Sequence, residues 1–141
     1  MGLESIGDGI KTNLETISDL KRVYAPNELR DTYNSFPCAV IMPGETTYDT
    51  TFGSNAGYTA RFRIIVMISK QDTPSALNKL MNYMEPTGTN SIKAALYADT
   101  TLDSSADDCE LDRNLGYGVM VFGGVTYLSS EFGLVVYARQ A

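Results

Sequence analysis

Acidic side chains form the densest cluster of chemistry-bearing groups in this chain. Asp108, Glu110 and Asp112 alternate on one face of an expected strand, with Asp103 and Asp107 just before them. Carboxylate oxygens suit Ca²⁺ or Mg²⁺, and a pair of them can serve as general acid and base. A cation site needs ligands that converge, and the loop lacks the EF-hand pattern. A catalytic pair needs one carboxyl isolated in an apolar pocket to raise its pKa, and nothing in the sequence isolates one. The plain reading is the solvated face of a half-buried strand.

The remaining inventory is sparse. Histidine is absent, which removes His-based triads, His general bases and the usual His ligands of zinc or iron. Gly116-Tyr117-Gly118 leads into Val119-Met120-Val121 but lacks the third glycine of a dinucleotide fingerprint, and it lies inside a strand rather than before a helix. No phosphate-loop lysine and no nucleophile elbow occur. Cys38 and Cys109 are too few and too far apart for a disulfide scaffold or a four-ligand metal site. Two reduced core thiols are expected, with one Cys38–Cys109 bridge open as the alternative. A non-enzymatic protein without metal or cofactor follows.

Two features stand out against that background. Arg61 and Arg63 share one strand face near the tip of a long hairpin, in a chain with only 11 basic residues against 17 acidic ones. Nine tyrosines and no tryptophan are spread over strands and loops, including Tyr48, Tyr58, Tyr117, Tyr127 and Tyr137. One reading is a solvated arginine pair and ordinary β-propensity. The sharper reading is protein–protein contact, since Tyr and Arg are enriched at interfaces. The net charge of -6, with no block of Lys or Arg, argues against gripping nucleic acid through its phosphates.

The 141 residues suffice for one domain, residues 1–141. No apolar run approaches the roughly 18 to 20 residues that span a bilayer. The first residues lack the charged-then-apolar pattern of a signal peptide, so a soluble protein made in a cytoplasm is expected.

Periodicity then supplies the elements. Leu3, Ile6, Ile10, Leu14, Ile17 and Leu20 form an apolar stripe that predicts a helix of about five turns, ended before Ala25-Pro26. Gly7 and Gly9 weaken its start. A polar stretch, Asn27 to Ser35, has room for a single helical turn. Cys38 to Met42, bracketed by Pro37 and Pro43, predicts a short buried strand. Thr46 to Phe52 and Tyr58 to Ser69 predict a hairpin through the loop Gly53 to Gly57. In its second run Tyr58, Ala60, Phe62, Ile64, Val66 and Ile68 share one face. The opposite face begins polar with Thr59, Arg61 and Arg63 and turns apolar at Ile65 and Met67.

Thr73 as cap and Pro74 in the first turn open a helix carrying Leu77, Leu80, Met81 and Met84. A short helix from Ser91 to Ala98 follows, then an acidic loop from Asp99 to Asp108. Cys109 to Phe122 and Val125 to Arg139 form a last hairpin around Gly123-Gly124, with Leu128, Phe132, Leu134 and Val136 on one face. The sum is an α+β domain: an N-terminal helix, a mostly antiparallel sheet of about five strands, and two further helices packed on it.

The order of these elements and several local phrases resemble the tail terminator proteins of long-tailed bacteriophages, a family of tail completion or head-to-tail joining proteins. The phrases are Leu20-Lys21-Arg22-Val23-Tyr24-Ala25-Pro26, Phe36-Pro37-Cys38-Ala39-Val40, and the strand Tyr58 to Ser69 with Gln71-Asp72. They continue through Ala76 to Met84, Gly88-Thr89-Asn90-Ser91-Ile92-Lys93-Ala94-Ala95-Leu96 and Asp99-Thr100-Thr101-Leu102. Gly123-Gly124-Val125-Thr126-Tyr127-Leu128 and Glu131-Phe132 close the series, so nearly the whole chain is covered.

The resemblance implies a structural virion protein at the head–tail junction, assembled in the host cytoplasm. Identical subunits would close a hexameric ring on the finished tail tube, stop its polymerisation and offer a surface to a head-completion or neck protein. DNA would pass through the bore without specific binding, and no membrane is involved. Closed rings use different surfaces on each neighbour, and sheet edges and protruding hairpins are natural contact sites. The candidate subunit or tail-tube contacts are Arg61, Arg63, Tyr48, Tyr58 and Asn55. A neck or head-completion subunit beside the portal is a close alternative, and a small ligand-binding α+β domain a more distant one.

Overall fold

The computed structural model of the protein describes residues 2–29, 33, 36–48, 57–68, 73–122 and 124–139. The elements run α1 (Leu3–Leu14), β1 (Arg22–Tyr24), a 3₁₀ turn (Pro26–Glu28), β2 (Cys38–Tyr48) and β3 (Gly57–Ile68). Then follow α2 (Thr73–Met84), α3 (Ile92–Tyr97), β4 (Asp108–Phe122) and β5 (Val125–Arg139). One five-stranded sheet has the order β1-β2-β3-β5-β4, with β1 parallel to β2 and every other pair antiparallel. This is the expected α+β arrangement. Among the described residues, no helix is long and apolar enough to cross a membrane.

The alternation read in β3 decides how the sheet is covered. Ala60, Phe62, Ile64, Val66 and Ile68 face the helices, meeting Ile6, Ile10 and Leu14 of α1, Leu80 and Tyr83 of α2, and Ile92 and Leu96 of α3 in one core. Leu128, Phe132, Leu134 and Val136 of β5 join them. Each Val, Leu, Ile or Phe side chain among them contributes about 1.5–3 kcal/mol through removal from water. Ile65 and Met67, on the opposite face, enter a smaller cluster with Tyr24, Tyr33, Cys38, Val40 and Tyr127. The strand is therefore dry on both faces at one end and on one face at the other.

Both thiols are free and buried. They lie in different clusters, Cys38 on the open face of the sheet and Cys109 among the helix-facing residues, so the sheet itself separates them. Burial pushes each thiol up to about 12, where it is un-ionised and unreactive near neutrality.

Two sequence expectations are corrected, the length of the first helix and the strand end at Pro43, and two close-packing features add to the sequence reading. The first helix ends at Leu14, not after five turns. The Thr16 hydroxyl donates to Asn13 O at 2.7 Å, and Ile17 N–H reaches Leu14 O at 3.0 Å in a tighter turn. Side-chain competition of this kind favours leaving a helix. Ile17 and Leu20 remain buried through turns, so the stripe is real although the helix does not carry it. The chain leaves early because Arg22–Tyr24 must pair in parallel with Cys38–Val40, a strand too short to read from sequence.

Gly7 and Gly9, costly to the helix in isolation, are also its contact points. A Cβ on Gly9 would lie 2.1 Å from Leu102 O, and one on Gly7 would lie 2.7 Å from Pro26 Cδ. Their small size lets α1 approach both segments.

Pro43 does not end a strand, because β2 runs through it. Beyond Val40 no β1 residue pairs with β2, so a residue without an N–H is tolerated on that side. Finally, Gly44 and Glu45 together oppose Arg61, since Pro43 pairs with Phe62 and Thr46 with Ala60. This bulge shifts the alternation by one residue and turns Tyr48 to the helix-facing side, opposite Tyr58.

Candidate interaction surface

The open face of β3, β5 and β4 carries the charged candidates. Arg63 grips Glu131 with two parallel bonds, Nε to Oε2 at 3.1 Å and Nη2 to Oε1 at 2.8 Å. That carboxylate holds the guanidinium further above its already high pKa. Arg61 makes a longer contact, Nη1 to Asp112 Oδ2 at 3.4 Å, with both partners largely exposed. Both arginines are thus committed within the chain. Half-exposed pairs of this kind contribute only about 0–1 kcal/mol each.

Tyr48 and Tyr58 pair directly across β2 and β3, but on the other side of the sheet from the arginines. Tyr48 is 75% exposed, and burial raises the pKa of the half-buried Tyr58 phenol. Asn55 and most of the loop Gly53 to Gly57 lie outside the described residues. The candidates therefore divide between two faces of one hairpin instead of forming a single patch.

The acidic residues each meet a separate partner. Asp108 accepts from Cys109 N–H at 2.9 Å, Glu110 from the Tyr137 hydroxyl at 3.3 Å, and Asp112 from Arg61. Among the described residues, no three potential ligands gather where they could hold a metal ion. Asp99 acts locally: its carboxylate accepts from Thr101 N–H, the Thr101 hydroxyl and Asp103 N–H, and the Thr101 bonds, first, then the Asp103 bond hold its pKa below the usual range. That loop lets Leu102 reach the core with a left-handed φ of 51°.

The tyrosines also divide. Tyr24, Tyr33 and Tyr127 pack edge-on in the smaller cluster, with ring centroids 4.9 Å and 6.2 Å apart for the two successive pairs. The Tyr127 hydroxyl accepts from Tyr33 N–H at 3.0 Å and donates to Tyr33 O at 3.2 Å. These rings are structural, as is buried Tyr83, whose hydroxyl donates to Asp19.

Sequence reasoning did not single out the outer edge of the sheet at β4. Its first six residues hold four charges, Asp108, Glu110, Asp112 and Arg113, while Asn114 to Phe122 hold none. Two register shifts, Leu111/Arg113 and Asn114/Tyr117, interrupt the pairing with β5. Gly116, at φ 80°, makes the second possible. It is pinned by Asn114, which donates to Ser130 Oγ at 2.7 Å and accepts from Gly116 N–H at 2.8 Å. Past it, Tyr117, Val119 and Val121 stand on one side at 57%, 51% and 60% exposure. The legible signal was the abrupt end of charge at Arg113. At the opposite edge of the sheet, Leu3, Pro26, Pro43 and Phe62 line an open, mainly apolar cavity of about 380 Å³.

No family model matches the chain, and no curated protein matches it significantly.

Proposed function

We propose that this protein is a non-enzymatic tail terminator subunit of a long-tailed bacteriophage. Copies of it would close a hexameric ring on the finished tail tube, stop its growth and present the surface to which the head-completion protein docks. The observation that carries this reading is the ordered series of phrases from Leu20 to Phe132, spread over a chain whose α+β element order accommodates all of them. The exposed Tyr48, where β2 meets the start of β3, would serve as a contact of the kind a ring or tube interface uses. The acid excess suits a bore through which DNA slides without sticking.

The test is electron microscopy of tail tubes assembled with and without the purified protein. Closed rings at tube ends, with tube length limited in their presence, are the expected result. Rings that bind filled heads and ignore tubes would replace this reading with the neck-subunit one. No association with either, together with a ligand-dependent rise in melting temperature, would sink both.

A further inference from the structure

The two edges of the sheet are not alike. One is formed by the three residues of β1 and, past them, by β2 with Pro43 and the Gly44–Glu45 bulge. Short strands, proline and bulges are the usual guards against strand addition. The other edge is β4, 15 residues long. Its first part is guarded by four charged side chains and two register shifts. Its last part, from Tyr117 onward, pairs without interruption with β5 on one side and, among the described residues, with no strand on the other. Backbone groups on an unpaired edge are a template for another strand, and the adjoining exposed Tyr117, Val119 and Val121 add apolar surface to reward it.

We infer that this stretch is a self-association surface: β4 of one copy pairs antiparallel with β4 of a second, about a two-fold axis at Val119. The charge pattern selects a second copy as the occupant. A chain of net charge -6 repels itself wherever acidic surfaces meet. Antiparallel pairing centred on Val119 sets Tyr117–Val121 against the same residues of the copy, a segment with no charge at all and past both register shifts. Asp108, Glu110 and Asp112 then lie beyond the end of the partner's strand. The other edge of the sheet is guarded, so among the described strands the mate left for this stretch is the stretch itself. Such an isologous contact brings Tyr117, Val119 and Val121 of both copies onto one side of a continuous ten-stranded sheet. It goes beyond the ring reading and does not depend on it, because a ring closes through heterologous surfaces.

Sedimentation of the purified protein over a range of concentrations tests the pairing. A reversible dimer is expected, and Val119→Glu weakens it by about a hundredfold or more, since like charges then face each other near the two-fold. Val119 is half exposed in the single chain, so an unchanged circular dichroism spectrum and melting temperature verify that the variant folds. Glu110→Lys, in the guarded half, leaves dimerisation as it was. Mixing Val119→Glu with Val119→Lys chains restores a dimer that contains one of each. A monomer at all concentrations, or a dimer indifferent to Val119→Glu, overturns the inference. Rings on tail tubes that form normally from Val119→Glu protein, with no dimer seen for the wild type, overturn it while leaving the ring reading intact.

Discussion

The two faces of the sheet are stabilised by different physics. The helix-facing side is a continuous apolar core to which all three helices and all five strands contribute. The open side has a compact aromatic cluster at one end and ion pairs at the other. A dry core derives its stability from area removed from water and from close packing. The aromatic cluster depends in addition on one hydroxyl that satisfies two backbone groups. The ion pairs stand in solvent and add little, so that end of the open face is free to change partners. The division teaches which part of the open face can exchange side-chain partners at least cost: the charged, half-wet end and not the aromatic one.

The comparison can be broken at three points, in falling order of effect. Phe62→Ala, in the centre of the helix-facing core, is expected to cost about 3–5 kcal/mol through lost burial and a cavity. Urea denaturation checks it, and a loss below that of the next variant would mean the helices do not pack as described. Tyr127→Phe removes only an oxygen, yet leaves Tyr33 N–H and C=O without that partner in a buried place. A loss of about 1–3 kcal/mol is expected, measurable by the same denaturation with a matching change in near-ultraviolet dichroism. Arg63→Ala is expected to cost no more than about 1 kcal/mol and to lose even that at high salt. A much larger or salt-independent loss would show that the charged end of the open face is as integral as the core.

A smaller effect sharpens the picture near α1. Lys11 donates to Glu28 at 2.6 Å, and this bond, then the Ala25 N–H, hold the Glu28 pKa below its ordinary value. A carboxylate with a depressed folded pKa adds stability that is present above its unfolded pKa and lost as pH falls through the folded one. Melting temperature should therefore fall on acidification below the ordinary glutamate range, and Glu28→Gln should make that fall shallower. An identical acid profile in the variant would show that the bond is not maintained in solution.

Much of the architecture was legible because it rests on periodicity. The alternation from Tyr58 to Ile68 announced a strand with one fully apolar face and a second that turns apolar at Ile65, and both clusters follow from it. Ser91 before Ile92 reads as a helix start, and its hydroxyl oxygen accepts from Ala94 N–H at 3.1 Å. Charged contacts were less legible. Arg61 and Arg63 could be placed on one face, but their partners Asp112 and Glu131 stand 51 and 68 residues away, and only sheet order brings them alongside.

What the sequence determined by itself is whatever depends on near neighbours: strand faces, the position of the last hairpin, and a chemistry limited by the lack of histidine. Tertiary structure alone decided the rest. Three residues, Arg22–Tyr24, are a strand only because Cys38–Val40 accepts them. Pro43 continues a strand only because the outer side of β2 is open there. Gly9 belongs in a helix only because Leu102 presses against it. And the neutral run after Arg113 is a surface, not a core strand, only because β5 leaves β4 at the edge. Hydrogen-bond partners and close approaches between distant segments are properties of the folded pair, and no local pattern encodes them.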